Sequence, residues 1–277
     1  MAALLAGLLI VGVRQVRGTT LRAPCIWALV STLSLAFVAL VEARYVRDGT
    51  GIGLSALRFA AVASTFCPLM AVLGAKRPQN RGWQWVVLTL WLVVAWPAVQ
   101  AVLLPAGARI ELFIAWKLFL VGLVAVGMLN YLPTRNGGAA ILVALGQLVL
   151  LDDYLWRWLP VAAEWVWAAG LACFLLAAIL AAFGHCARKG RLATAGRGIG
   201  EFDRRWLEFR DAYGALWALR IVARVNQTAE LRDWPLRLAW SGFVSARAEE
   251  SSELTSEQSQ ELELALSTLL RRFNRPD

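Results

Sequence analysis

Residues 160–183 read PVAAEWVWAAGLACFLLAAILAAF, and residues 185–191 that close the run read HCARKGR. The 24-residue run carries one charged side chain, Glu164. Coiled as a helix it would be about 36 Å long, more than the roughly 30 Å hydrocarbon core of a bilayer. Pro160 suits the first turn, where a missing N–H costs nothing. The basic cluster after Phe183 is a membrane stop. This stretch therefore reads as a transmembrane helix, and the rest of the chain can be read outward from it.

Upstream, six more apolar runs occupy residues 2–13, 23–41, 54–73, 83–104, 110–129 and 137–151. The whole chain of 277 residues is 59% hydrophobic and 17% charged, with a mean hydropathy of +0.57. Soluble domains sit nearer 45–50% apolar and about 25% charged, which sets a water-soluble enzyme aside. The expected fold is an all-α polytopic membrane bundle of about seven transmembrane helices over residues 1–183. A helical cytoplasmic tail follows over residues 184–277. The run at 2–13 is short enough for a signal peptide but has no basic leader and no Ala-x-Ala site, so an uncleaved first helix is expected. The run at 137–151 spans only about 22 Å and must thin the bilayer or re-enter it. Trp83, Trp85, Trp156, Trp158 and Trp165 crowd the ends of runs, as an interfacial belt requires.

Loop charges give an orientation. With seven spans, Arg14, Arg17, Arg22, Lys76, Arg77, Arg81 and Arg135 share the tail's side, whereas Arg44, Arg47, Arg109 and Arg157 lie opposite with most of the acids. The positive-inside rule puts the N-terminus outside and the C-terminus in the cytoplasm. Only three of the 28 basic residues are lysine, a bias that points to a GC-rich genome and a bacterial inner membrane. The formal charge of +9 thus reports topology and a basic membrane-proximal tail, and no nucleic-acid partner is expected.

In the tail, Gly196, Gly198 and Gly200 read as a hinge, because they lack the spacing, strand and acid of a dinucleotide fingerprint. Phe202, Trp206, Phe209 and Tyr213 recur every three or four residues along an amphipathic helix near 201–226. That aromatic stripe suits docking on the membrane surface or on a protein partner, with packing on the chain's own bundle as the plain alternative. Trp234-Pro235 breaks the chain, and residues 236–244 form a short apolar stretch. A Ser-rich acidic linker over 248–259 precedes a last helix near 256–273, with Thr255 and Gln258 as a capping box.

Chemistry is thinly represented. Cys25, Cys67, Cys173 and Cys186 form no CxxC pair and His185 is the single histidine, so no metal site and no cofactor are expected. Cys67-Pro68-Leu69-Met70 could offer sulfur to a cuprous ion, but a kinked helix with a packed thiol accounts for it more simply. Pro68 and Pro97 fall in consecutive runs, and paired helix breaks can frame a transport site. Ser64 and Lys117 would make a nucleophile pair only if two helices brought them to one depth.

The polar candidates gather toward the outer side: Arg58, Glu111, Lys117, Asp152, Asp153 and Glu164, with Glu42 nearby. Lys117 lies about 10 Å into its run, where an unpaired charge costs about 2.5–3.5 kcal/mol. Pairing with Glu164 or Glu111 in an outward cavity would offset that cost, and so would snorkelling along the lysine stem. No P-loop, His-Glu-x-x-His or Gly-x-Ser-x-Gly occurs. The expected role is a non-catalytic membrane component that docks through its tail. The alternative is a small-solute or ion transporter, or an intramembrane enzyme, built around Lys117.

Overall fold

The apolar runs fold as helices, the backbone form that satisfies its own polar groups without water. The computed structural model describes residues 1–45, 52–76, 80–103, 110–158, 163–192, 199–245 and 256–273. Among the described residues nine helices precede the tail: α1 (Ala2–Gln15), α2 (Arg22–Tyr45), α3 (Ile52–Ser64), α4 (Cys67–Leu73), α5 (Asn80–Val94), α6 (Trp96–Leu103), α7 (Ile114–Tyr131), α8 (Gly137–Leu151) and α9 (Ala163–Leu192). Four segments are long and apolar enough to cross a membrane: Arg22–Arg44, Leu54–Leu73, Ile114–Tyr131 and Trp165–Gly184. Helices α5 and α6 make a fifth only if taken together across their 51° bend. Helices α1 and α8, at 14 and 15 residues, fall short of a bilayer's thickness. The seven apolar runs are therefore four full-length helices, one bent pair and two short helices.

The segment Leu54–Leu73 lies at the centre, since 61% of it is buried against 17% to 28% for the other three. Its break is the work of Pro68, which has no N–H and whose ring excludes the carbonyl four residues back. That carbonyl belongs to Ser64, and it accepts a 2.6 Å hydrogen bond from Ser31 Oγ of α2. Gln147 Nε2 of α8 donates to the Thr65 carbonyl at 3.1 Å, and Trp91 Nε1 of α5 to that of Ala60 at 3.1 Å. Three neighbouring helices thus supply donors to the carbonyls around the kink. An unsatisfied carbonyl in this apolar core would cost about 1–3 kcal/mol. Pro97 similarly marks the bend between α5 and α6.

Helices α8 and α9 approach closely because each offers a glycine. A Cβ at Gly146 would meet Phe174 at 2.9 Å, and one at Gly170 would meet Leu150 at 2.6 Å. Small residues at such crossings allow the backbone contact that drives helix association in lipid.

The tail is a folded cap rather than a run of separate helices. It consists of α10 (Ile199–Leu231), a hairpin of β1 (Leu236–Ala239) and β2 (Gly242–Ser245), α11 (Ser256–Leu270) and a 3-10 turn, Arg271–Phe273. The short apolar stretch after Pro235 is this hairpin, paired Leu236 to Ser245 and Ala239 to Gly242, so the tail is not purely helical. Two polar residues of α10 fasten it. Asn226 accepts from Leu238 N at 2.7 Å and donates to Leu238 O at 3.0 Å, and Asp203 Oδ1 accepts from Phe243 N at 2.7 Å. The last helix, expected near 256–273, runs from Ser256 to Leu270 and closes in the 3-10 turn. The expected helix near 201–226 is longer and carries a break at Gly214, whose φ of 78° and ψ of −178° are closed to other residues.

Candidate functional site

Two polar assemblies occupy opposite ends of the bundle. At the end far from the tail, α2, α3 and the turn after α8 converge. Arg58 Nε donates to Glu42 Oε1, and both side chains are mostly buried, at 22% and 14% exposure. Tyr154 Oη donates to the Ser55 carbonyl at 3.0 Å, and its ring meets Phe59 edge-on at 4.8 Å. Asp152 Oδ1 accepts from Trp158 N at 3.0 Å. Arg157, in the left-handed region at φ 55°, turns the chain so that Trp156 and Trp158 stack at 5.0 Å. Asp153 and Arg157 pair at 3.7 Å near the surface. The structure thus joins Arg58 to Glu42 and sets Asp152 and Asp153 in the turn beside them.

Lys117 does not join that cluster, and its expected place seven residues into a helix needs correction. Residues 110–113 are not helical, so α7 begins at Ile114 and Lys117 is its fourth residue, about 4.5 Å from the start. It is half-exposed, and among the described residues no carboxylate pairs with it. Glu111 is exposed in the non-helical approach to α7. Glu164 lies in the first turn of α9, and its side chain is outside the described residues, as are residues 159–162 and 193–198 with Pro160, Gly196 and Gly198, and Thr255 of the capping box. Ser64 sits about 18 Å along α3 and spends its hydroxyl on the Ala61 carbonyl at 2.6 Å. Cys67 and Met70 are buried in the bundle core, and among the described residues no group of three or more His, Cys, Asp or Glu comes together.

The second assembly is the joint between cap and bundle. Asn130 and Tyr131 end α7, and Asn136 precedes α8. Tyr131 Oη donates to the Ala212 carbonyl at 3.2 Å and Asn136 Nδ2 to that of Asp211 at 2.9 Å. The break at Gly214 frees Leu216 N, which donates to Asn130 Oδ1 at 2.9 Å. Trp217 Nε1 donates to Val72 O at the end of α4, at 2.9 Å, and Trp240 Nε1 to Pro133 O at 2.9 Å. Arg210 holds Asp211 at 2.8 Å, donates to Trp240 O at 2.8 Å and lies 5.2 Å over the Trp240 ring. From the first connection, Thr20 N donates to Phe273 O at 2.9 Å. The connection between α1 and α2, the end of α4 and the loop between α7 and α8 therefore meet the tail on one side.

Phe273 is the hub of this cap. Its ring lies 4.8 Å from Phe209, 4.8 Å from Tyr213 and 5.2 Å from Trp217. Burial pushes the Tyr213 phenol up to about 12, with the Thr20 hydroxyl 3.1 Å away. The four aromatic residues expected to dock outward are consequently internal. Phe202, Trp206, Phe209 and Tyr213 are all at most 8% exposed and belong to one core with Leu262, Leu266 and Phe273. The expected periodicity is present, but the face it marks closes on α11 and the hairpin, whose apolar residues need covering as much as those of α10.

Several residues of the joint carry no signal as a site in the sequence. Asn130 and Tyr131 look like an ordinary end to an apolar run, and Arg210–Asp211 like a solvated helix face. A polar amide at the end of an otherwise apolar helix is the one hint. No known protein family, curated protein or solved structure matches the chain.

Proposed function

We propose that the chain is a multi-pass component of a bacterial inner membrane that performs no chemistry of its own and presents its tail to a protein partner. All seven apolar segments cross the bilayer in this reading, with the N-terminus outside and the cap in the cytoplasm. Supporting the alternation, the connections after α1, α4 and α7 lie together on the cap's side. The short α1 and α8 then require local thinning of the bilayer.

The observation that carries the reading is the joint. A tail fastened through Thr20, Val72, Asn130, Pro133 and Asn136 is a surface of fixed shape, not a tether. It leaves the outward face of α11 for a partner, with Leu264 at 69% exposure between the exposed Glu257 and Glu263 and the Arg271–Arg272 end. The outer polar cluster supports a structural role as well, since Arg58, Tyr154 and Asp152 direct their polar atoms at neighbours within the fold.

The test is co-purification from native membranes. Leu264→Arg, and separately removal of residues 199–273, should lose a protein that the full chain retains, while the bundle stays in the membrane. An identical set of co-purifying proteins from all three would defeat the proposal.

A solute transporter is the second reading, favoured by the paired interruptions at Pro68 and Pro97 in adjacent segments. Lys117→Met and Gln147→Leu discriminate. Reduced uptake at unchanged protein abundance supports transport, and unaltered uptake removes it.

A further inference from the structure

Beyond Gly214, α10 buries Trp217, Ala218, Ile221, Val225 and Ala229 in the cap. The opposite face is a stripe of Leu216, Leu219, Arg220, Ala223 and Arg224, all exposed. Two leucines at 40% and 58% exposure are out of place on a water-facing helix. Their position explains them. Leu216 is hydrogen-bonded to Asn130, the penultimate residue of α7, and Leu129 before it and Leu132 two residues after it are 56% and 41% exposed. Exposed leucines at the end of α7 and on α10 thus stand on either side of the Asn130–Leu216 hydrogen bond.

Along the helix axis Leu219 and Arg220 are only about 4.5 and 6 Å from Leu216, and Arg224 about 12 Å. The polar layer on each side of a bilayer is about 5–8 Å thick. With Leu216 at the hydrocarbon boundary, Leu219 and Arg220 fall within that layer, and Arg224 joins them when α10 tilts by more than about 50° from the membrane normal. Arg220 is held with its guanidinium 4.9 Å over the Trp217 ring, and Arg224 donates to neutral Gln227 at 3.1 Å. No acid occurs between Asp211 and Glu230, and among the described residues neither arginine pairs with a carboxylate. Apolar residues beside unneutralised arginines at headgroup level make an interfacial helix.

We propose that this stripe lies in the headgroup layer on the cap's side of the membrane. Leu216 and Leu219 enter the acyl-chain boundary, and Arg220 and Arg224 hold the phosphates of anionic phospholipids through paired N–H donors. The occupant is lipid and not protein because the stripe continues a surface that already faces lipid. The proposal goes beyond the partner role assigned to α11 and rests on a different face of the cap, so either can fail alone.

The test uses the full chain with its four cysteines replaced by alanine, its fold checked by an unchanged melting temperature. A nitroxide at Leu219→Cys, in vesicles of phosphatidylcholine with phosphatidylglycerol as the minor component, should be reached by oxygen more readily than by a chelated nickel ion. The same label at Leu264→Cys should show the reverse. Phosphatidylglycerol retained through detergent purification of the native chain should fall in Arg220→Gln and Arg224→Gln, roughly fivefold for each arginine. A water-exposed label at residue 219 overturns the proposal. So does a label immobilised by a co-purifying protein, which would make the stripe a protein interface. Phosphatidylglycerol retention equal to wild type in the double variant overturns the headgroup assignment of the arginines.

Discussion

Replacing Gly214 by alanine isolates the joint between cap and bundle. Two costs arise from its geometry. At φ 78° and ψ −178° the backbone lies in a region only glycine visits freely, which costs about 1–3 kcal/mol for any other residue. The new Cβ would also stand 2.3 Å from Asn130 Nδ2 and 2.8 Å from its Oδ1. Asn130 is 4% exposed and has no room to retreat while still accepting from Leu216 N, so that N–H loses its partner at about 1–3 kcal/mol. The sum is about 2–6 kcal/mol, out of the roughly 5–15 kcal/mol that a domain possesses. Hydrogen exchange of the amides from Ala212 to Ala218 in reconstituted protein should therefore accelerate about 30-fold or more, while exchange within α8 and α9 holds steady. Asn130→Ala alone should show only the capping part, about 1–3 kcal/mol. The double variant should be milder than the sum of the two, because the clash has gone. Wild-type exchange in Gly214→Ala would refute the reasoning.

Other consequences concern the kink, the cap and the polar cluster at the end far from the cap. Gln147→Leu strips the Thr65 carbonyl of its donor in an apolar core and should lower bundle stability by about 1–3 kcal/mol, read as a reduced melting temperature in nanodiscs. Tyr213 has its phenol raised from 10.0 to about 12, so its buried neutral form contributes stability in full below about pH 10. That contribution is lost as pH rises from about 10 to about 12, and Tyr213→Phe should flatten this alkaline loss in a pH-dependent melt. Glu42→Gln leaves Arg58 mostly buried without its counter-charge, and should cost about 1–2 kcal/mol while leaving cap exchange unchanged. Phe273→Ala removes the ring shared by Phe209, Tyr213 and Trp217, and should destabilise the cap by about 3–5 kcal/mol, measured as protease sensitivity of the region around 231–245.

The helices of the bundle are legible in the sequence because a long apolar run has few ways to satisfy its backbone. An apolar run must be helical and must be about as long as the membrane is thick, so α2, α7 and α9 emerge from composition and length alone. The boundaries are less legible. Three of the four residues at 110–113 are as apolar as the helix after them, and only the structure shows that α7 starts at Ile114 and that Lys117 falls in its first turn. The site suffers most from this. A position counted from the start of an apolar run is not a position in the helix when the first residues are not helical, and the ionic pairing falls to Arg58 and Glu42 on neighbouring helices.

From the amino-acid sequence alone came the long apolar segments, the helical class, the break at Pro68 and the aromatic periodicity of α10. These depend on transfer free energy, a missing N–H and a 3.6-residue repeat, all properties of neighbours along the chain. Tertiary structure alone decided what the periodic face touches. The stripe of Phe202, Trp206, Phe209 and Tyr213 could have met lipid, a partner or the chain itself, since hydrophobic attraction has no direction. It met α11, the hairpin and Phe273, the last of these 60 residues beyond Tyr213. The same folding turned Leu216, Leu219, Arg220 and Arg224 outward, because a helix that buries one face must present the other.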